Sequence, residues 1–191
     1  MFRSLFGGKN KKPKATDSSV PTDSIRSAGI GYTVVIAEFF SPIEDAYIVI
    51  EQVNRYDSAV GEWQELVGSD GERRVGIEWS HDGDLFIAVN VHDTPMGLDR
   101  IGLDEDALLR MDKEHSLSNS LTFEDQRYSY KNSYEAAYFK DSKGEGEGFY
   151  LWEFVSQDSN KIVSVVKWED APFEVYTSVV VSPEQVSAYK V

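Results

Sequence analysis

From about Tyr32 onward the chain alternates between apolar and polar positions with a period of two. Val75, Ile77 and Trp79 alternate with Arg74, Gly76 and Glu78; Ile162, Ser164, Val166 and Trp168 alternate with Val163, Val165 and Lys167. Leu85, Ile87, Val89 and Val91 alternate with Asp84, Phe86, Ala88 and Asn90. Successive side chains of a strand point to opposite faces, so this period predicts half-buried antiparallel strands. Turn signals separate the runs: Asp70-Gly71, Asp82-Gly83, Asp158-Ser159-Asn160 and the stretch from Gly144 to Gly148. Asp-Gly between alternating runs favours a tight hairpin, because its turn needs positive φ. One segment has helical spacing instead. Leu103 to Met111 carries acids at its start and Arg110 and Lys113 near its end, as the helix dipole prefers.

Two stretches look alike. Glu65-Leu66-Val67, Asp70, Glu78-Trp79 and Asp82 run parallel to Glu153-Phe154-Val155, Asp158, Lys167-Trp168 and Asp170. The expected architecture is mainly β, with two related antiparallel β halves forming a sandwich or partly open barrel, joined by one short α-helix. The halves span about 32–100 and 117–191, within a β-rich domain of 29–191. If the repeat is a duplication, the two tryptophans plug the same site in each half.

Composition adds aromatic mass to this picture. Four Trp, ten Tyr and ten Phe in 191 residues supply a real core. No cysteine is present, which excludes disulfides, thiol catalysis and thiolate metal sites. No run reaches the roughly 18 apolar residues of a membrane span, and the first residues do not read as a secretory signal. The expected location is cytoplasmic.

Charge is unevenly placed. The net charge is −14, yet residues 1–28 hold six basic and two acidic side chains, leaving −18 on the remainder. An acidic body repels phosphates, so nucleic acid is not expected as a partner. Residues 1–28 read as a disordered basic tail, poor in the apolar side chains that offset ordering entropy. At its start Phe2, Leu5 and Phe6 can share one face of a helical turn, ahead of Lys9, Lys11, Lys12 and Lys14. That combination reads either as a weak membrane-surface or partner anchor or as a frayed, solubilising terminus.

Several residues resemble a known family. Gly61-Glu62-Trp63-Gln64-Glu65-Leu66-Val67 with Val75-Gly76-Ile77-Glu78 resembles the tryptophan–glutamate strand of a bacterial domain of unknown function, number 4178. Leu121-Thr122-Phe123, Arg127-Tyr128, the Gly144–Gly148 turn, Trp152-Glu153-Phe154 and Val163 to Trp168 resemble its second half. The resemblance covers roughly 47–191. It implies a compact β protein whose relatives lie beside genes for polyamine synthesis and small membrane proteins, and it transfers no catalytic residue.

The remaining candidates for chemistry are modest. His81, Asp82 and Asp84 lie at one turn and His92 and Asp93 at the end of the next strand, some 20 Å apart by strand rise. Turn formation accounts for them better than a metal site does. Acid pairs such as Glu62 and Glu65, Glu145 and Glu147, or Glu169 and Asp170 are expected by number alone in a chain with 33 acids. His115 follows the short helix without an evident partner. Tyr128, Tyr130, Tyr134, Tyr138 and Tyr150 form a tyrosine-rich strand set. They read either as an interaction face or as a core edge with hydroxyls reaching solvent.

The expected function is therefore a non-catalytic accessory or protein-interaction module, with no cofactor, no metal and no catalytic residue assigned. The alternatives are a β-barrel binding a small ligand or cation and, behind it, a carboxylate-dependent hydrolase. An open aromatic cavity would favour ligand binding.

Overall fold

A computed structural model describes residues 24–90 and 94–190. The candidate tail residues Phe2, Leu5, Phe6, Lys9, Lys11, Lys12 and Lys14, and also His92 and Asp93, lie outside the described residues. Eleven strands form one antiparallel sheet: β1 (Tyr32–Ser41), β2 (Glu44–Ser58), β3 (Gly61–Ser69), β4 (Arg74–Asp82), β5 (Asp84–Asn90), β6 (Ser120–Phe123), β7 (Gln126–Phe139), β8 (Glu147–Ser156), β9 (Lys161–Trp168), β10 (Phe173–Val180) and β11 (Val186–Lys190). Among the described residues a single α-helix, α1 (Glu105–Glu114), lies between the fifth and sixth strands. None of the described helices is long and apolar enough to cross a membrane.

The strand order is β11-β1-β2-β3-β4-β5-β10-β9-β8-β7-β6, with a further pairing of β2 to β7. That pairing closes eight strands into a ring. One seam joins Arg55–Ser58 of β2 to Ala136–Phe139 of β7. The other joins Ala88 and Val89 of β5 to Val180 and Val179 of β10. The expectation of a mainly β, antiparallel, partly barrel-like architecture thus holds, with the wings β11-β1 and β6 branching from the ring; a duplication of two related halves is not confirmed.

Strands β2 and β7 are the longest, and each carries a bulge where it leaves its wing and enters the ring. On β2 the register against β3 shifts between Ile50 and Gln52. On β7 the register against β8 shifts between Tyr130 and Asn132. A bulge adds one residue to a period-two pattern, so every later side chain changes face. Ala46, Ile48 and Ile50 therefore pack outside the ring, under β1 and β11, with Val34, Leu66, Ile77 and Ile87. Beyond the bulge, Tyr56 packs inside the ring with Trp63, Phe149 and Trp168. Tyr128 and Tyr130 likewise pack outside, with Phe154, Val163 and Val175, while Tyr134 and Tyr138 turn inward.

The outer faces of the ring are thus covered by two separate apolar cores. Helix α1 seals the second. Its N-cap is Asp104, whose side chain accepts the Ala107 N–H at 2.8 Å, and Glu105 and Asp106 follow in the first turn. Leu108 and Met111 are its buried face. The segment predicted from Leu103 to Met111 is this helix, shifted toward the C-terminus. Asp112 then accepts hydrogen bonds from Ser133 and from the Tyr150 hydroxyl, the latter at 2.6 Å. Tyr130 bonds Ser133 at 2.7 Å and the His115 Nδ1 at 3.0 Å. His115, without an evident partner in the sequence, is the outer member of a polar chain that ties the end of α1 to β7.

The two look-alike tryptophans do not take equivalent sites in the two stretches. Val75 pairs with Gly68 beside the first bulge and Val163 with Phe154 beside the second. Trp79 is four residues beyond Val75, whereas Trp168 is five beyond Val163. The extra residue reverses the face. Trp79 packs on the outer core and Trp168 inside the ring.

Candidate functional site: an acidic, aromatic barrel interior

Inside the ring lies a cavity of about 470 Å³. It is bordered at the β2–β3 hairpin by Val60 and Glu62, both exposed. This volume falls within the range of small-molecule sites. The lining is unusual for a barrel core: besides Glu62 at the rim, the carboxylates Glu65, Glu78 and Glu153 share it with Tyr56, Trp63, Tyr134, Phe149, Trp168 and Tyr176. Lys131 is the one basic side chain among the described lining residues.

Alternation explains how the acids come to face inward. Glu78 stands between Ile77 and Trp79, and Glu153 between Trp152 and Phe154. Their apolar neighbours are drawn into the outer cores, so the acids are left facing the barrel axis. Glu65 is the direct cross-strand partner of Glu78. Directly opposed side chains lie roughly 5 Å apart at Cβ, and like charges there repel.

Hydrogen bonds hold two of the acids in place. Glu65 Oε2 accepts the Asn54 amide at 2.8 Å and the Tyr56 hydroxyl at 3.1 Å. Asn54 is itself fixed, since its Oδ1 accepts from Gln52 Nε2 at 2.8 Å and from the Asp141 N–H at 3.0 Å. Glu153 Oε2 accepts the Tyr134 hydroxyl at 3.2 Å and lies 3.9 Å from Lys131 Nζ. The two hairpins use one device. Tyr56 pairs with Trp63 and bonds the acid two residues on; Tyr134 pairs with Leu151 and does the same. A third tyrosine, Tyr176, donates to Glu174 at 2.9 Å, and the Trp168 indole N–H reaches the same oxygen at 3.0 Å.

The electrostatics follow from this crowding. Glu78 faces a narrow cavity rather than bulk water, beside Glu65 and Glu153. Burial first, then these two charges, push its pKa up to about 8. Tyr56 and Tyr134 are driven above the ordinary tyrosine range by burial and, next, by the nearby carboxylates, so both stay neutral donors. The aromatic rings form a continuous wall. Tyr56 and Trp63 stack with centroids 4.9 Å apart, Trp63 meets Tyr134 edge-on at 6.4 Å, and Phe149 and Trp168 lie 4.7 Å apart.

Of the tyrosines singled out from the sequence, the structure sends two pairs to different places. Tyr128 and Tyr130 are each only 2% exposed in the outer core, so neither offers a surface to a partner. Tyr134 and Tyr138 face the barrel interior, and only Tyr134 borders the cavity. A strand face read by simple alternation joins all four; the bulge at Lys131 separates them. Glu78 and Glu153, the two acids that join Glu65, stand in the segments that carry the repeat and the family resemblance, but nothing in those segments marks them as cavity acids; each is an acid flanked on both sides by large apolar residues within a strand.

A family model described as Domain of unknown function (DUF4178) matches residues 43–183. The chain belongs to the DUF4178 family. The match runs from the turn before β2 into the segment after β10, so it contains every strand of the ring and the cavity carboxylates Glu65, Glu78 and Glu153. No curated protein matches the chain, and no solved structure does. The DUF4178 region thus holds the ring together with α1 and β6, whereas β1 and β11 lie outside the matched span.

Proposed function

We propose that this DUF4178 domain is a non-catalytic binding module that takes a small organic cation into its barrel. One observation carries the reading: Glu65, Glu78 and Glu153 converge on a cavity of about 470 Å³ walled by tyrosine and tryptophan, with Lys131 as the only basic side chain among the described lining residues. Gathering carboxylates in a confined space is costly unless a positive charge or a proton joins them. An ammonium group supplies that charge. Aromatic faces attract it further through their quadrupoles, and they cover its alkyl part. The polyamines that the family resemblance implies are cations of this class. The tyrosine bonds to Glu65 and Glu153 hold both acids as oriented acceptors, which suits binding better than proton abstraction.

The test is calorimetric titration of the full chain with alkylammonium and diammonium salts, polyamines included. Neutral alcohols and carboxylates of equal length serve as comparators. The cations are expected to bind, and Glu65→Gln with Glu153→Gln to abolish binding. Equal binding of the neutral alcohols would sink the proposal.

A second reading keeps the protein-interaction role. Tyr47 and Val49 of β2 and Tyr189 of β11 are 60%, 50% and 52% exposed. Val49 and Tyr189 both pair with Thr33 of β1, which makes them neighbours across the wing. An apolar face of this kind suits a partner protein. Replacing Tyr47 and Tyr189 with Ser is expected to remove such a partner in affinity capture while leaving cation binding intact.

A further inference from the structure

We infer that Lys131 is a tethered competitor for the cavity, holding Glu153 when no ligand is bound and leaving it when an external cation enters. The inference rests on the cation-binding reading of the barrel.

Lys131 sits at the β7 bulge, between Tyr130, which pairs with Phe154, and Asn132, which pairs with Glu153. A bulge re-aims a side chain that regular pleating would send elsewhere. Here it brings a lysine to the cavity lining beside the acid opposite its own neighbour. The matching position on β2, Glu51, is exposed and does not line the cavity.

The geometry is that of a loose latch. Lys131 Nζ is 3.9 Å from Glu153 Oε2, at the long end of an ion pair. The lysine side chain is 53% exposed, whereas that of Glu153 is 17% exposed. The carboxylate is thus held within the barrel, while the ammonium reaches it from the solvent side on a flexible stem. Such a half-exposed pair is weak and its lysine readily withdrawn. An arriving ammonium offers Glu153 the same charge and in addition gains the aromatic wall, which the tethered lysine does not contact in any cation–π arrangement among the described residues. Lys131 therefore sets a threshold: a cation binds well only if its alkyl part uses the wall.

The experiment is titration of the full chain with butylammonium chloride, using wild type, Lys131→Met and Lys131→Arg, with ligand-free melting curves to establish that each folds. Should the Met variant fail to fold, Lys131→Gln replaces it. The expected result is about three- to tenfold tighter binding for Lys131→Met, from lost competition and lost repulsion, with Lys131→Arg close to wild type. The Lys131 ε-methylene NMR signal should also move on adding butylammonium and stay still on adding butanol. Wild-type binding that Lys131→Met leaves unchanged or weakens would overturn the latch and leave the cation reading standing. Absence of binding by every variant would overturn both.

Discussion

Glu65 and Glu78 face each other directly across β3 and β4, both turned into the barrel. Glu65 accepts two hydrogen bonds, from Asn54 and Tyr56, whereas burial, then the charges of Glu65 and Glu153, raise the pKa of Glu78. This relationship makes both stability and binding depend on pH.

For stability the sign is fixed by the direction of the shift. The folded pKa of Glu78 is raised from 4.5 to about 8. Its contribution is complete below the unfolded value and is lost as pH rises through the folded one. Stability should therefore fall between about pH 4.5 and pH 8, at up to about 1.4 kcal/mol per pH unit from this group. Urea denaturation across that window measures the slope. Glu78→Gln should flatten it, and an unchanged slope in this variant would remove Glu78 as its cause.

For binding the sign is opposite. An ammonium and a proton compete for the Glu78 carboxylate, so affinity for an alkylammonium should rise as pH climbs toward about 8 and then level off. The proton released should appear as a binding enthalpy that varies with the ionisation enthalpy of the buffer. In Glu78→Gln both effects should vanish.

Much of this was legible in the sequence, and the reason it stops where it does is physical. Alternation identified Val75 to Trp79 and Ile162 to Trp168 as strands, because one face of each is drawn into an apolar core. It did not reveal what the other face meets. That depends on ring closure through pairs such as Arg55 with Phe139 and Ala88 with Val180, which are distant in sequence and carry no motif. Glu65, Glu78 and Glu153 look like three of many acids until the ring brings them together. The bulges at Glu51 and Lys131 are equally silent locally, yet they decide that Tyr130 is core and Tyr134 is cavity wall.

Asn54 supports the acidic cluster and should be costly to remove. It is 2% exposed, donates to Glu65 and accepts from Gln52 and from the Asp141 backbone. Asn54→Ala takes a partner from the Asp141 N–H, from Gln52 and from the Glu65 carboxylate at once, which should cost about 2–4 kcal/mol. Tyr56→Phe keeps the stack on Trp63 and leaves Glu65 its Asn54 bond, so about 1 kcal/mol is expected. Equal losses for the two in urea denaturation would contradict this ranking.

The helix closing the second core offers an independent check. Leu108 is fully buried against a core that includes Ile101, Tyr130 and Phe154. Leu108→Ala should cost about 2–5 kcal/mol by leaving a cavity. Because this core lies outside the ring, cation affinity of the folded protein should stay near wild type. A large loss of affinity at a temperature where the variant is folded would show that helix and cavity are coupled.

The β2 bulge rests on a glycine, and that dependence is open to test. Gly68 pairs with Ile50, the last residue before the register shift, and a Cβ there would run into the Val49 carbonyl and come within 2.9 Å of the Ile48 side chain. Both obstacles belong to the strand that must curl over the outer core, so neither can withdraw without disturbing Ile48 and Ile50. The equivalent position on β8 is Phe154, which pairs with Tyr130 and whose side chain fills the second core. One wing thus closes down on a bare backbone and the other on a ring. Gly68→Ala should cost about 2–4 kcal/mol, more than an alanine normally costs in a strand, through backbone overlap rather than propensity. Thermal unfolding measures the loss, and hydrogen exchange locates it: protection of the β1 and β11 amides should fall before that of β8 and β9. A variant as stable as wild type would mean that β2 can cross β3 without this close approach.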